Sequence, residues 1–115
     1  MKPTVGRIVL YVLTAQDAKE INRRRGDAAD FARDISSAPF TPAPVVGFGN
    51  EASEGDECAA TVVRVFDPRV PTVNLQVHLD GNDTYWATSR TEGDGPGMWH
   101  FPVIAREPGA RPPRY

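Results

Sequence analysis

The clearest pattern along this chain is a strict alternation of apolar and polar residues from Val73 to Asp80. An alternation with period two is typical of a β-strand that buries one face. The residues that follow, Asp80 to Asp83, contain glycine and asparagine, which accept the backbone angles of tight turns. Thr84 to Ser89 is rich in β-branched and aromatic residues, which favour strands. The stretch from Pro71 to Thr91 therefore predicts a β-hairpin.

A helical region is predicted nearer the N-terminus. Thr14 and Asp17 have the spacing of a capping box, in which both side chains bond backbone N–H groups at the start of a helix. We expect a helix from Ala15 to Arg25 that ends at Gly26, because glycine favours the left-handed conformation that closes helices. A second helix is predicted from Ala28 to about Ser36.

Further strands complete a small β-domain. Stretches rich in branched apolar residues predict strands at Val5–Leu13, Val45–Phe48, Cys58–Phe66 and Met98–Ile104. About five short strands with tight turns fit a strongly bent barrel of the SH3-like kind, with the helices of residues 15–36 inserted across one opening. The predicted fold class is mainly β (α+β by content), and an open α+β sheet is the alternative. Residues 1–104 are expected to form this single domain and residues 105–115 a flexible tail.

Length and charge restrict the classes of function. With 115 residues, the chain has room for one domain with one hydrophobic core. Its formal net charge of -2 argues against a protein that binds nucleic acid in bulk. Cys58 is the only cysteine, which excludes an intramolecular disulfide and a cysteine zinc cluster. No apolar run has the length of a membrane span or the features of a signal peptide, so we expect a cytoplasmic protein.

Three consecutive arginines, Arg23, Arg24 and Arg25, follow Asn22 in the first predicted helix. Successive helix residues are rotated by about 100°, so at most two of these guanidinium groups can converge on one ligand. One interpretation is that they only complement the negative end of the helix dipole. The functional alternative is a clamp for phosphate or carboxylate, which the planar guanidinium group binds through two parallel hydrogen bonds. Arg90 and Arg7 are candidates to join this clamp.

The second candidate site is the turn and second strand of the hairpin. Tyr85 and Trp86 point to opposite faces of the strand, so one is expected in the core while the other can stack on a partner or a base. Taken singly, the polar residues here are typical of turns and half-exposed strands. As a cluster, they combine amide, carboxylate, hydroxyl, aromatic and guanidinium groups, which makes them the best site candidate in the chain. The predicted ligand-binding residues of the hairpin are Asn82, Asp83, Thr84, Tyr85, Trp86, Thr88, Ser89 and Arg90.

Enzyme signatures are weak. His78 and His100 are the only histidines, and their spacing to Cys58 and to the aspartates matches no known metal site or catalytic triad. The chain also lacks a glycine-rich phosphate loop between a strand and a helix. We therefore assign no catalytic residue, no metal and no cofactor, and we favour a non-catalytic protein over an enzyme.

Several motifs together resemble a known family. They are V-G-R-I-V-x-Y near the start, I-N-R-R-R, V-N-L-Q-V-x-L-D-G-N-D-T-Y-W-A-T-S and G-P-G-x-W-x-x-P. This combination, spread over roughly Pro3 to Pro102, is similar to a family of small proteins encoded by tailed bacteriophages and prophages. The resemblance implies a phage-encoded protein made in the cytosol of a bacterial host, and it brings no activity to these positions. The polar motifs of the family correspond here to Asn22–Arg25, Asn50 and Asn82–Ser89.

The leading hypothesis is a non-catalytic protein that sequesters a small anionic, nucleotide-like ligand, such as a signal of bacterial immunity. The chain contains the arginines and stacking aromatics that such a protein needs. Phage proteins of this type are often oligomeric, so a homo-oligomer is expected, by an analogy of type and not of shared motif. The alternatives are a virion-associated or host-protein interaction module and a nucleotide hydrolase.

Overall fold

The computed structural model describes residues 2–36 and 49–103, with the side chains of the helix as far as Phe31. The elements are β1 (Ile8–Val12), α1 (Ala15–Ser36), β2 (Glu57–Val65), β3 (Thr72–His78), β4 (Thr84–Thr91) and β5 (Trp99–His100). The five strands of these residues form one antiparallel sheet in the order β4-β3-β2-β1-β5, curled into a half-barrel. The prediction of a mainly β fold is confirmed. The predicted strand Val45–Phe48 and the predicted tail 105–115 lie outside the described residues.

The predicted hairpin is confirmed as β3 and β4, which pair from Thr72 with Thr91 to His78 with Thr84. The alternating apolar residues of β3 are fully buried. Burying one such side chain contributes roughly 1.5–3 kcal/mol. Together with residues of α1 and the other strands they form the core on the inner face of the sheet: Val9, Tyr11, Leu13, Ile21, Ala60, Val62, Val73, Leu75, Val77, Leu79, Ala87 and Trp99.

The start of α1 is the predicted capping box. The backbone N–H of Asp17 donates to the Thr14 hydroxyl at 2.9 Å, and the backbone N–H of Thr14 donates to the Asp17 carboxylate at 3.1 Å. The cap therefore fixes Asp17 at the point where the helix meets the sheet. Among the described residues, no helix combines the length and the apolar character that crossing a membrane requires.

The prediction of two helices separated at Gly26 is wrong, because α1 runs without interruption from Ala15 to Ser36. A glycine inside a helix costs only about 1 kcal/mol relative to alanine. Arg23 and Asp27 form a salt bridge of 3.7 Å across this position, and Arg25 is bonded to the hairpin. These contacts keep the backbone helical on both sides of the glycine.

Two of the predicted strands are shorter than their sequence pattern. β1 begins at Ile8 and not at Val5, because Gly6 has a φ of 91° in the turn that precedes it. β5 contains only two residues. Pro102 follows it closely and lacks the N–H group that a longer strand would need.

A bulge in β4 changes which side chains face outward. The pairing of β3 with β4 shifts register beside Asn74. Opposite this point, Ser89 has a φ of 54°, and its backbone N–H donates to the side-chain oxygen of Asn74 at 2.8 Å. The extra residue reverses the alternation of the strand. As a result Arg90 turns inward and lies over the ring of Tyr11, 5.7 Å from its centroid, whereas Trp86 points outward.

Candidate functional site

The arginine-bearing helix and the hairpin turn meet in the structure, and Arg25 joins them. Its guanidinium group donates two hydrogen bonds of 2.9 Å to the Asp83 carboxylate. It also donates to the carbonyl oxygens of Asn50 at 2.6 Å and Asp80 at 3.3 Å. The hydrogen bonds between the two side chains raise the pKa of Arg25 and lower the pKa of Asp83. All three guanidinium nitrogens of Arg25 thus donate within the chain, and its side chain is 11% exposed.

Arg24 and Arg23 leave the helix in other directions, as the 100° step predicts. Arg24 donates to the carbonyl oxygen of Thr84 at 3.0 Å and lies over the ring of Tyr85, 5.5 Å from its centroid. Arg23 pairs with Asp27 on the exposed side of the helix. Within the described residues, Arg23, Arg24 and Arg25 therefore contact different groups and do not converge on one ligand position.

The remaining predicted residues have mainly local roles. The side-chain amide of Asn22 donates to the carbonyl oxygen of Ala52 at 2.9 Å and accepts from the backbone N–H of Ala52 at 3.0 Å. It thereby ties the loop before β2 to α1. Asn82 and Thr88 are exposed, and Ser89 forms the bulge.

A buried carboxylate, Asp17, is the centre of a polar cluster between α1 and the sheet. The hydroxyl groups of Tyr11 and Tyr85 donate to it at 2.5 Å and 3.0 Å. The guanidinium group of Arg90 lies 3.4 Å from the same carboxylate. With the bond from Thr14, Asp17 has four partners, although it is only 1% exposed. Two predicted ligand-binding residues, Tyr85 and Arg90, therefore help to hold the helix on the sheet.

The charges in this cluster are fixed near neutral pH. Burial alone would raise the pKa of Asp17, but the hydrogen bonds from the two tyrosines and Thr14, with the charge of Arg90, outweigh it and lower the pKa. Burial and the hydrogen bond to Asp17 raise the pKa of Tyr85 to about 12 and that of Tyr11 further still. At pH 7 the tyrosines are therefore neutral hydrogen-bond donors and Asp17 is an ionised acceptor, an arrangement that stabilises the contact between the helix and the sheet.

The histidines and the cysteine lie apart. His78 shares a hydrogen bond of 2.8 Å with the Thr61 hydroxyl, and His100 lies 3.8 Å from Glu57. Cys58 is half-buried, and burial raises the pKa of its thiol. Among residues 2–36 and 49–103, no group of three or more His, Cys, Asp or Glu side chains is placed to hold a metal ion.

A pocket of about 240 Å³ lies beside Arg25. It is lined by Leu13, Arg25, Asn50, Glu51, Ala52, Asp56, Glu57, Cys58, Leu79 and Asp80. Four of these side chains are carboxylates, and the single guanidinium group is already bonded to Asp83. Negative charge therefore dominates the pocket, which disfavours an anionic ligand there.

The side of the sheet opposite the core carries several exposed apolar residues. Strand pairing places Ile8, Thr61, Gln76 and Trp86 in one row across β1 to β4. Trp86 is 60% exposed and Ile8 is 48% exposed. We name this side the outer face and define it by Ile8, Thr61, Val63, Arg64, Phe66, Gln76, His78, Thr84, Trp86 and Thr88. The prediction that Tyr85 and Trp86 differ, one packing inward and one remaining available, is confirmed.

None of these ten residues is acidic, and Glu57, on the same side of β2, lies at the other end of that strand beside His100. Arg64 lies over the ring of Phe66, 5.2 Å from its centroid, and forms no salt bridge within the part of the chain that the structure describes. Arg7, by contrast, lies over Phe101 beside β5. Arg64, Phe66 and Gln76 were not among the predicted ligand-binding residues. The alternation of β3 places Gln76 away from the core, but the alternation from Ala60 to Val62 in β2 would place Arg64 and Phe66 in the core. The register shift between Val62 and Arg64 turns them outward.

The comparisons with known proteins return no relative. No protein-family model, no curated protein and no solved structure matches this chain. The function of the chain is therefore inferred from its own residues and contacts.

We expect the contact between Arg25 and Asp83 to stabilise the protein by about 1.5–3 kcal/mol, as hydrogen bonds between charged groups do. Arg25→Met and Asp83→Asn should each destabilise the protein, and the double variant should be little worse than either single variant. Urea denaturation of the four proteins measures this coupling. The control is the same cycle on Arg23 and Asp27, which are exposed and should couple by less than about 0.5 kcal/mol. Equal coupling in the two cycles would contradict the prediction.

Proposed function

We propose that this chain is a non-catalytic binding protein that holds a nucleotide-type ligand on the outer face of its sheet, with a base stacked on Trp86. The observation that carries the proposal is the position of Trp86, whose side chain is 60% exposed although it lies within β4. A tryptophan in this position contributes little to the core, which is on the other side of the sheet. Its indole ring offers a flat apolar surface of the kind on which bases stack, a contact worth about 1–3 kcal/mol per base.

The distribution of charge supports an anionic ligand at this face more than elsewhere. The ten residues that define the outer face include no carboxylate, and Arg64 is a guanidinium group without an acidic partner in the described residues. By contrast, Arg25 is bonded to Asp83, and the pocket beside it is acidic. A phosphate group approaching the sheet would therefore meet the least repulsion at the outer face.

The neighbours of Trp86 provide groups that could recognise a base or sugar. Gln76 lies next to it in the same row and offers an amide donor and acceptor. Thr84 and Thr88 flank it along the strand with hydroxyl groups, and His78 lies across from Thr84. These groups offer hydrogen-bond donors and acceptors around the exposed indole ring.

We also propose that the half-barrel is of the SH3-like kind. The order β4-β3-β2-β1-β5 supports it, because the last strand returns beside the first. The two edges approach each other where the backbone N–H of Gly93 donates to the carbonyl oxygen of Trp99 at 2.8 Å. On this interpretation the outer face is the outside of a small barrel. The resemblance to phage-encoded proteins makes a nucleotide signal of the bacterial host a candidate ligand. We propose that the protein binds this ligand in the host cytosol, as a homo-oligomer.

The experiment is a titration of the protein with adenine and guanine mononucleotides and cyclic dinucleotides, followed by tryptophan emission. Trp99 is fully buried, so a change on ligand addition would report mainly on Trp86. Trp86→Ala should weaken binding by about 10- to 100-fold, because the stacking contact is lost. Trp86→Phe should retain much of it. Phe31→Ala serves as the control, since Phe31 is an equally exposed aromatic residue on the helix. If no nucleotide binds, the proposal is wrong.

A second candidate function is a protein-interaction module that uses the same face. The exposed apolar residues Ile8 and Val63 favour it, because they extend the apolar area across β1 and β2. Association with a virion or host protein that is lost in Trp86→Ala, together with the absence of nucleotide binding, would support this alternative.

A further inference from the structure

The outer face contains a second exposed aromatic residue, Phe66, which is 51% exposed. It directly follows β2, and Arg64 lies over its ring. Between them Val65 pairs with Val73 and packs against the core, so Arg64 and Phe66 both point away from the core. The side of the sheet that carries Trp86 therefore has an aromatic ring at each end, with a guanidinium group close to one of them.

The strand register gives the backbone separation of Trp86 and Phe66. Thr61 shares a row with Trp86 two strands away, and Phe66 is five residues further along β2. One of these five residues is absorbed by the register shift between Val62 and Arg64. Four strand residues and two strand spacings place Phe66 and Trp86 about 16 Å apart at the backbone. A single nucleotide does not extend this far from its base to its phosphate.

The surface between the two rings suits the backbone of a ligand more than a third base. Gln76 and Val63 lie along the way, and Val63 is 39% exposed. Neither carries charge, and Arg64 stands between this area and Phe66. A phosphate that connects two nucleosides could thus reach the guanidinium group while its two bases reach the two rings.

We infer that the outer face binds a ligand with two bases, in which Trp86 and Phe66 each stack on one base and Arg64 contacts the phosphate between them. This inference rests on the proposed function, since it specifies the ligand class for the same face. The ligand is a linear dinucleotide, because the face offers two rings for two bases and one guanidinium group for the phosphate between them.

The test compares three adenine ligands that differ in the number of bases and in the number of phosphates. AMP has one base and one phosphate, ApA has two bases and one phosphate, and ATP has one base and three phosphates. We expect ApA to bind about tenfold more tightly than AMP, because a second stacking contact is added. ApA should also bind more tightly than ATP, despite its lower charge. An eight-residue oligo-A should bind no more tightly than ApA, and much tighter binding of the longer strand would overturn the dinucleotide as the ligand.

Phe66→Ala provides the residue-level test. It should weaken the binding of ApA about tenfold and leave the binding of AMP unchanged, whereas Trp86→Ala should weaken both. Phe31→Ala should change neither. A thermal melt checks that each variant is folded. If AMP and ApA bind equally and Phe66→Ala has no effect, the inference is overturned while the proposed function stands. If ATP binds best, the number of phosphates and not the number of bases determines the affinity, and the inference also fails. If none of the ligands binds, the proposed function fails first and the inference with it.

Discussion

Replacing Asp17 with alanine is expected to lower the free energy of unfolding by about 3–5 kcal/mol, the usual cost of removing one partner from a buried charged pair. The carboxylate is 1% exposed and accepts hydrogen bonds from Tyr11 and Tyr85. Without it, the hydroxyl group of Tyr11 and the guanidinium group of Arg90 lose this acceptor, and Tyr85 keeps only its longer hydrogen bond of 3.3 Å to Glu20. The helix cap at Thr14 also loses one of its two reciprocal hydrogen bonds. Such a change removes a large part of the stability of a small domain.

Urea denaturation measures this effect, and Asp27→Ala is the matched control. Asp27 is on the same helix and also pairs with an arginine, but it is exposed, so its replacement should cost less than about 0.5 kcal/mol. Asp17→Asn keeps the size of the side chain but not its charge, and should fall between the two. Similar losses in Asp17→Ala and Asp27→Ala would show that the cluster does not hold the helix.

The acid dependence of the wild-type protein checks the same contribution. Because the pKa of Asp17 is lowered in the folded state, its contribution is present above the unfolded pKa of 3.8 and is lost as the pH falls through the lower folded pKa. At the alkaline end, the pKa of Tyr85 is raised to about 12, so its contribution is complete below the unfolded pKa of 10.0 and is lost as the pH rises towards 12. Asp17→Ala should therefore flatten the acid side of the stability profile.

The elements that depend on near neighbours in the sequence were predicted correctly. The alternation of β3 needs only the identity of every second residue, and the capping box depends on two residues three apart. Both are local signals, and both describe the structure. Whether the arginine-bearing helix meets the hairpin cannot be predicted from either segment alone. The contact between Arg25 and Asp83, which are 58 positions apart, brings them together.

The errors arose where distant contacts overrule a local preference. Gly26 favours a helix end when considered alone, yet the neighbouring Arg25 is bonded to a turn that the helix reaches only after folding. Strict alternation along β4 would place Arg90 on the same face as Trp86. The bulge at Ser89 separates them, and it depends on the side chain of Asn74 in the adjacent strand. The residue pattern of one segment does not show which residue of another segment will bond to it and change its conformation.

The same reasoning applies to the candidate site. The sequence selected the arginines because charged side chains are conspicuous in a sequence, but burial and pairing decide which of them can meet a ligand. Arg25 and Arg90 are occupied by carboxylates of the chain itself. Arg64 appeared to be an ordinary residue of a buried strand, and only the strand register shows that it faces outward without an acidic neighbour in the described residues.

Replacing Trp99 with alanine is expected to destabilise the protein by about 3–5 kcal/mol, the range for removing a buried tryptophan. Its side chain is fully buried and meets the ring of Phe101 edge-on at 5.2 Å. The indole N–H donates to the carbonyl oxygens of Pro71 and Arg90. Trp99 therefore connects β5 to the start of the first strand and the end of the second strand of the hairpin. Trp99→Phe keeps most of the volume but not the donor, and should cost about 1–3 kcal/mol.

Trp86→Ala is the matched control for this change, because it removes the same side chain from an exposed position on the other side of the sheet. We expect it to change the free energy of unfolding by no more than about 0.5 kcal/mol, as for most surface substitutions. Urea denaturation of the three variants makes the comparison directly. A large loss in Trp86→Ala would mean that Trp86 supports the fold and would remove the main argument for a binding face. A large loss in Trp99→Ala with none in Trp86→Ala would leave contact with a partner as the reason for an exposed tryptophan on this strand.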